Sequence, residues 1–338
     1  MSTHYLQPKQ TLAFNSKATE ILYGGAAGGG KSHLMRIASI AWCLEISGLQ
    51  VFLFRRISGE IRRNHLDGPT GYRALLSDLA QAGYARIVSS PEPSISFQNG
   101  SKITMLHAQH EHSVFDRQGI EIHVLLVDEL THFTRPMYEF LRSRCRMTGV
   151  VLPDKYKGLF PRILAGSNPG GIGHNWVKSM FVTPCQPLEI VKQPKSEGGM
   201  LRQYIPARVD DNQALLDSDP DYSNRLQGLG SPALVRAMLE GDWDIVAGGM
   251  FDDVWTQKNI IEPFDIPRNW RITRSFDWGS SHPFSVGWWA RSNGESVLSK
   301  SGVELHFPRG SCIRIGEWYG WNGRENEGLR MTASEVAR

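Results

Sequence analysis

Thr19–Ser32, TEILYGGAAGGGKS, reads as a short apolar strand running into a glycine-rich turn, and its reading decides the fold. Gly25, Gly30, Lys31 and Ser32 stand at the spacing G-x-x-x-x-G-K-[ST], with Gly28 and Gly29 inside the loop. Chemistry accounts for that spacing. A triphosphate needs several backbone N–H groups pointing inward, and glycine lets a chain curl that tightly. The lysine ammonium reaches the outer phosphates, and the serine hydroxyl ligates a magnesium ion. Helical, amphipathic sequence follows at once (Leu34, Met35, Ile37, Ala38, Ala41, Trp42), so a helix N-terminus faces the phosphates.

Outward from this loop, strands and helices alternate. Val51–Phe54, His123–Val127 and Arg162–Ala165 are apolar runs of strand length. Residues 69–83 predict one helix with Tyr72, Leu75, Leu76 and Leu79 on a face. Ser94–Leu106 predicts a hairpin closed by Asn99-Gly100, the pair that two-residue turns prefer. The rhythm implies an α/β layered domain with a mostly parallel sheet. After Thr183 the character changes: Pro184, Pro187, Pro194, Gly198 and Gly199 mark a loop, and polar helices fill 212–240. Gly248 and Gly249 open a linker, a new β pattern starts at Arg271, and a helical pattern starts near Thr332. The expected division is 1–183, 184–247, 248–268 and 269–338.

The run LLVDE supplies a second half to the site. An aspartate at the C-terminal end of a parallel strand, here Asp128, sits beside a phosphate loop and holds magnesium through water. A glutamate directly after it, Glu129, polarises a water for attack on the γ-phosphate; a pure switch has no use for it. The alternative is an acidic pair that merely ends a strand. Ser167 and Asn168 follow the strand at Arg162, where polar groups feel whether a phosphate is present; an ordinary Asn-Pro turn is the alternative. Gln10 carries an amide that matches an adenine edge, against the plainer reading of a surface residue.

Composition narrows the class. With 338 residues, 41% hydrophobic and 21% charged, the chain fits a globular protein of about two domains. Its net charge of +3 decides nothing alone. Cys43, Cys145, Cys185 and Cys312 form no CxxC pair, which argues against a zinc site or disulfide framework and fits a reducing compartment. The start MSTHYLQPKQ lacks a secretion signal, and no apolar run reaches membrane-spanning length. A cytosolic protein without membrane contact is expected. Arg55, Arg56, Arg62 and Arg63 form one basic cluster, and Arg142, Arg144 and Arg146 another. Each is a candidate grip on nucleic-acid phosphates, or simply a solvated face.

Taken in order, PKQ, GGAAGGGKS, LLVDE, SNPGGIGHNW, LEGDWD and SFDWG resemble the large terminase subunit of tailed bacteriophages over almost the whole chain. The Walker motifs are generic to ATPases; SNPGGIGHNW and LEGDWD, ahead of an Asp-x-Gly strand, are more specific. The resemblance implies a P-loop ATPase of the additional-strand class, a small helical lid subdomain, and the start of a ribonuclease H-like nuclease domain. It implies a motor that docks on the portal vertex of a procapsid in the host cytoplasm and pumps double-stranded DNA. The implied partners are the portal protein, the small terminase subunit and further copies of itself in a ring.

Residue by residue, the resemblance makes Gln10 the adenine contact, Lys31 and Ser32 the phosphate and magnesium contacts, Asp128 the Walker B aspartate and Glu129 the catalytic glutamate. Ser167 and Asn168 resemble the coupling motif. Arg117, shortly before Walker B, is placed like a trans-acting arginine finger; the alternative is a loop arginine with a local partner. Ala26, Ala27, Gly28 and Gly29 leave no arginine inside the Walker A loop, unlike some terminases. Asp277, ending the strand at Ile272–Phe276, resembles the first carboxylate of a two-metal nuclease site that takes Mg2+ or Mn2+. The other nuclease carboxylates would lie beyond Arg338, so the chain is expected to hydrolyse ATP without cutting DNA efficiently. Two other readings share the Walker motifs: a helicase- or recombinase-type ATPase, and a nucleotide-gated assembly module that does not hydrolyse.

Overall fold

A nine-stranded sheet is the frame of the molecule, ordered β3-β4-β5-β2-β6-β7-β1-β9-β8. The computed structural model describes residues 5–230, 232–244, 259–323 and 327–337. In chain order the strands are β1 (Glu20–Gly25), β2 (Gln50–Arg55), β3 (Ala85–Val88), β4 (Ser94–Phe97), β5 (Lys102–His107), β6 (Val124–Asp128), β7 (Arg162–Ser167), β8 (Ile190–Lys192) and β9 (Leu201–Ala207). The six central strands, β5-β2-β6-β7-β1-β9, are parallel throughout. Strand β7 lies between β1, which leads into the glycine loop, and β6, which ends in Asp128. That insertion is the additional strand of the expected class.

Both sheet faces are covered, which is why the strand sequences are continuously apolar instead of alternating. Val124 and Leu126 point to one side, where Ala13, Leu34, Met35, Ala38 and Trp42 pack. These come from α1 (Pro8–Asn15) and α2 (Lys31–Glu45). Leu125 and Val127 point to the other side, against Met137, Leu141, Trp176, Phe181 and Trp243.

The structure corrects three local expectations. Residues 69–83 are not one helix: Tyr72–Leu75 and Ser77–Gln81 are separate, because Leu76 leaves helical geometry (φ −106°, ψ 9°) and is fully buried. The hairpin closes through a three-residue loop, 98–100. Phe97 N–H bonds the Ser101 carbonyl at 2.9 Å and Gly100 alone is left-handed (φ 81°), so the turn carries a glycine bulge. The boundary at 183 cuts the sheet, since β9 pairs with β1 from Glu20↔Arg202 to Gly25↔Ala207. The polar helices then follow as Gln213–Ser218, Tyr222–Gln227 and Pro232–Glu240.

The chain divides into two units, Met1–Asp253 and Val254–Arg338. Most of the linker expected over 248–268 falls outside the described residues. The second unit contains an antiparallel sheet of β10 (Arg271–Asp277), β11 (Ser285–Arg291) and β14 (Cys312–Tyr319), with β11 in the middle. A two-stranded ribbon, β12 (Val297–Leu298) and β13 (Glu304–Leu305), accompanies it. Its small core centres on Trp270, Ala290 and Val297. A short helix, Ala333–Ala337, stands where the pattern near Thr332 predicts it. Among the described residues no helix is long and apolar enough to cross a membrane.

Candidate nucleotide site

Because the central strands are parallel, their C-terminal ends gather at one edge of the sheet, where open α/β sheets bind ligands. That edge brings together Gly25 from β1, Arg55 from β2, Asp128 from β6, Ser167 from β7 and Ala207 from β9. The glycine loop spans from β1 to α2. Gly30 caps α2 in the left-handed region (φ 75°), and a Cβ there would collide with the Gln10 amide. The backbone N–H groups of Gly28, Gly29 and Gly30 make no hydrogen bond among the described residues, so the loop presents donors at a helix N-terminus.

Lys31 is buried, and its Nζ donates to the Ala26 carbonyl at 2.9 Å and to Asn168 Oδ1 at 2.5 Å. Burial pulls its ammonium below the ordinary lysine range, while the charges of Glu129 and Asp128 oppose that shift. Ser32 Oγ lies 3.4 Å from Asp128 Oδ1. The Walker serine and the aspartate of a distant strand therefore do meet. Asp128 is fully buried, which alone would raise its carboxyl. His65 at 2.9 Å and Arg55 at 2.5 Å, with Lys31 nearby, outweigh burial and hold it well below the usual carboxylate range.

Glu129 differs in every respect. Its backbone is left-handed (φ 56°, ψ 61°), a conformation that costs a non-glycine residue of order 1–3 kcal/mol and clusters at active sites. Its carboxylate has no hydrogen-bond partner among the described residues. Burial, and next the charge of Asp128, raise its carboxyl above the ordinary glutamate range. Ser167 Oγ accepts from Thr131 N–H at 3.0 Å and donates to Thr131 Oγ1 at 2.9 Å. Asn168 thus touches Lys31 while its neighbour Ser167 holds the turn that follows Glu129.

Gln10 is buried, not a surface residue. Its Nε2 donates to the Gly30 carbonyl at 2.9 Å, and its Oε1 accepts from Gln7 N–H at 2.8 Å. One amide hydrogen and one lone pair remain for an adenine edge. Oxygen donors at Ser32 and an ionised Asp128 fit magnesium, which takes its other ligands from phosphates and water.

The family described as the N-terminal part of the terminase large subunit, T4likevirus-type, matches residues 22–154. Over that stretch this chain is similar to the terminase large subunits. No curated protein matches it. Its fold is similar to that of the large terminase of a thermophilic bacteriophage. The ADP complex of that protein is 17% identical at a TM-score of 0.54, covering 90% of this chain and 69% of that one. The ATP-γ-S complex gives 17% identity and a TM-score of 0.52, covering 90% and 68%.

Segments from the second half of the first unit converge on the glycine loop. The Gly28 carbonyl accepts from Asn212 Nδ2 at 2.6 Å, and Ala27 N–H donates to the Met238 carbonyl at 2.7 Å. His174 Nδ1 accepts from Gly170 N–H at 2.9 Å while its ring stacks on Trp243 at 5.4 Å. Trp243 Nε1 donates to Tyr204 Oη at 3.1 Å. Gly241 is left-handed (φ 68°), and a Cβ there would lie 2.6 Å from the Gly25 carbonyl carbon and 2.9 Å from Ala26 N. Gly241→Ala therefore combines a strain of about 1–2 kcal/mol with an overlap worth about 1–3 kcal/mol. Nucleotide affinity should fall at least about tenfold in a fluorescent-nucleotide titration; unchanged affinity would show that Gly241 does not shape the loop.

Two further expected site residues lie on other elements. Arg117 is paired with Glu92 at 2.7 Å on a partly exposed surface, the local-partner alternative. Asp277 ends β10 opposite Ser285 in the second unit, and among the described residues no three metal-ligating side chains converge there or elsewhere. The two basic clusters are also corrected in part. Arg55 is consumed by Asp128 and Glu60, and Arg142 by the buried Glu20 and the Glu197 carbonyl. A cleft of about 700 Å³ opens beside Thr19, Arg142, Lys195 and Leu201, at the opposite end of the strands from Ser32.

Proposed function

We propose that this chain is the ATP-hydrolysing motor subunit of phage DNA packaging. The observation that carries the reading is the approach of Ser32 Oγ to Asp128 Oδ1 across the sheet. ATP would lie along the glycine loop, with its adenine beside Gln10. Mg2+ would be held by Ser32 directly and by Asp128 through water, and when bound it neutralises developing charge on the phosphates. Lys31 exchanges its Ala26 and Asn168 acceptors for phosphate oxygens. Glu129, beside Asp128 and without a hydrogen-bond partner among the described residues, orients the attacking water. Release of Asn168 from Lys31 passes through Ser167 and Thr131 to the turn behind Glu129, which links the phosphate state to the lid helices around the loop.

The same reading assigns double-stranded DNA as the transported polymer, a portal protein and a small terminase subunit as partners, and a homo-oligomeric ring at the procapsid in the host cytoplasm. In such a ring Arg117 leaves Glu92 and acts on the neighbouring subunit's phosphate. The second unit, with Asp277 at a strand end, corresponds to the first strands of a ribonuclease H-like domain. That the thermophilic phage's terminase forms complexes with ADP and ATP-γ-S supports a nucleotide as the ligand of this chain.

The test is magnesium-dependent ATP turnover stimulated by double-stranded DNA and by portal-bearing procapsids. Turnover accompanied by strand separation would favour the helicase reading; tight binding without turnover would favour the assembly module.

A further inference from the structure

Two residues that no motif singles out, Arg55 and His65, both donate to one oxygen of Asp128. Arg55 Nη1 lies 2.5 Å and His65 Nε2 2.9 Å from Oδ2, whereas Oδ1 faces Ser32 Oγ at 3.4 Å. The carboxylate is divided: one oxygen is saturated by protein donors and the other is turned to the Walker serine. We propose that Arg55 and His65 are a fixed clamp on Oδ2 that reserves Oδ1 for the magnesium shell, and so are positioning residues for the metal. This rests on the nucleotide site proposed above.

The clamp is built, not incidental. Both Asp128 and His65 are fully buried, and the Arg55 side chain is 11% exposed. Arg55 is itself aimed by Glu60, which accepts from its Nε at 2.7 Å. His65 stands in a π-helical turn, Arg62–Leu66, a geometry frequent at functional sites. Arg36, from α2, holds that turn by donating to the Asn64 carbonyl at 2.9 Å and to Thr70 Oγ1 at 3.1 Å. The helix that carries Lys31 and Ser32 therefore also fixes the height of His65. A carboxylate at a strand tip is free to rotate. Unclamped, Asp128 would be free to turn Oδ1 from Ser32 toward the nearby Lys31 ammonium, and the metal contact would be lost. In the structure Lys31 bonds Ala26 and Asn168 instead. Partners that orient a metal-binding group commonly change metal affinity 10–100-fold when lost.

The experiment separates metal from nucleotide. Mn2+ binding is read by electron paramagnetic resonance in the presence of ADP, and ADP affinity is read separately in EDTA. His65→Leu should weaken Mn2+ binding by about 10–100-fold and leave metal-free ADP affinity unchanged. His65→Gln, which returns a donor near the Nε2 position, should recover most of the loss. Arg55→Lys keeps the charge but cannot span Glu60 and Asp128, and should weaken Mn2+ in the same way; it serves if His65→Leu fails to fold. Unchanged Mn2+ affinity in a folded variant, or an equal loss of metal-free ADP affinity, would overturn the clamp. Failure of the wild type to bind Mn2+ with ADP would instead overturn the nucleotide site itself.

Discussion

Glu129→Gln loses ATP turnover by about 10²–10⁴-fold, the usual contribution of a positioned base, while nucleotide binding survives. The carboxylate makes no hydrogen bond or ion pair among the described residues, so no structural partner is lost with it. Its left-handed backbone is retained, because glutamine imposes no new steric demand at φ 56°. Melting temperature should therefore stay within a few degrees of wild type, and Mg2+-nucleotide affinity should be unchanged. Loss of binding together with turnover would mean that Glu129 helps build the pocket instead of acting on water.

The pH dependence carries the same assignment. Burial and the Asp128 charge raise the Glu129 carboxyl, and only the ionised form accepts a proton from water. In kcat/KM, which reports the free enzyme, activity must rise with pH through a midpoint above that of ordinary glutamate, and this limb must vanish in the residual activity of Glu129→Gln. Asp128 supplies no such limb, because its partners hold it ionised far below that range.

Local chemistry dictates what is legible in the sequence. The glycine loop, the paired acids and the apolar strands that carry them are contiguous patterns, and parallel pairing then forces their ends together. Hidden are contacts between residues distant along the chain. Arg55 looks like part of a basic surface cluster because its carboxylate, Asp128, lies on another strand; only the β2–β6 pairing brings them together. His65 carries no signal, since a π-helical turn has no apolar period. Strand β9 escapes a sequence reading for a related reason: Arg202 and Gln203 are polar and break its apolar run, yet both are buried. Arg202 faces Glu20 and Gln203 accepts from Ser16, partners that the sequence separates widely. Asp277 ends its strand as the sequence implies, but a strand end alone names no chemistry.

Glu20→Ala should destabilise the first unit by about 3–5 kcal/mol, the cost of stranding a buried ion-pair partner. Glu20 begins β1, at the end of the strand opposite the glycine loop, and is fully buried. Its Oε2 accepts from Arg202 Nε at 2.8 Å, and its Oε1 from Tyr138 Oη at 2.7 Å and Arg142 Nη1 at 3.2 Å. Removing it leaves Arg202, 2% exposed, with an uncompensated charge. Arg142 still reaches the Glu197 carbonyl and solvent, so the loss falls on Arg202 and Tyr138. For a domain stable by about 5–15 kcal/mol this is a large fraction, and the urea midpoint should drop accordingly. The double change Glu20→Leu with Arg202→Met removes both charges and should recover much of the loss, since apolar replacement of a buried pair is often neutral. If the double variant is no better than Glu20→Ala, the lost packing of β1 against β9, and not the stranded charge, sets the cost. Nucleotide affinity of the folded fraction should be unchanged in both, because the loop at the far end of β1 is fixed separately by Gln10, Met238 and Asn212.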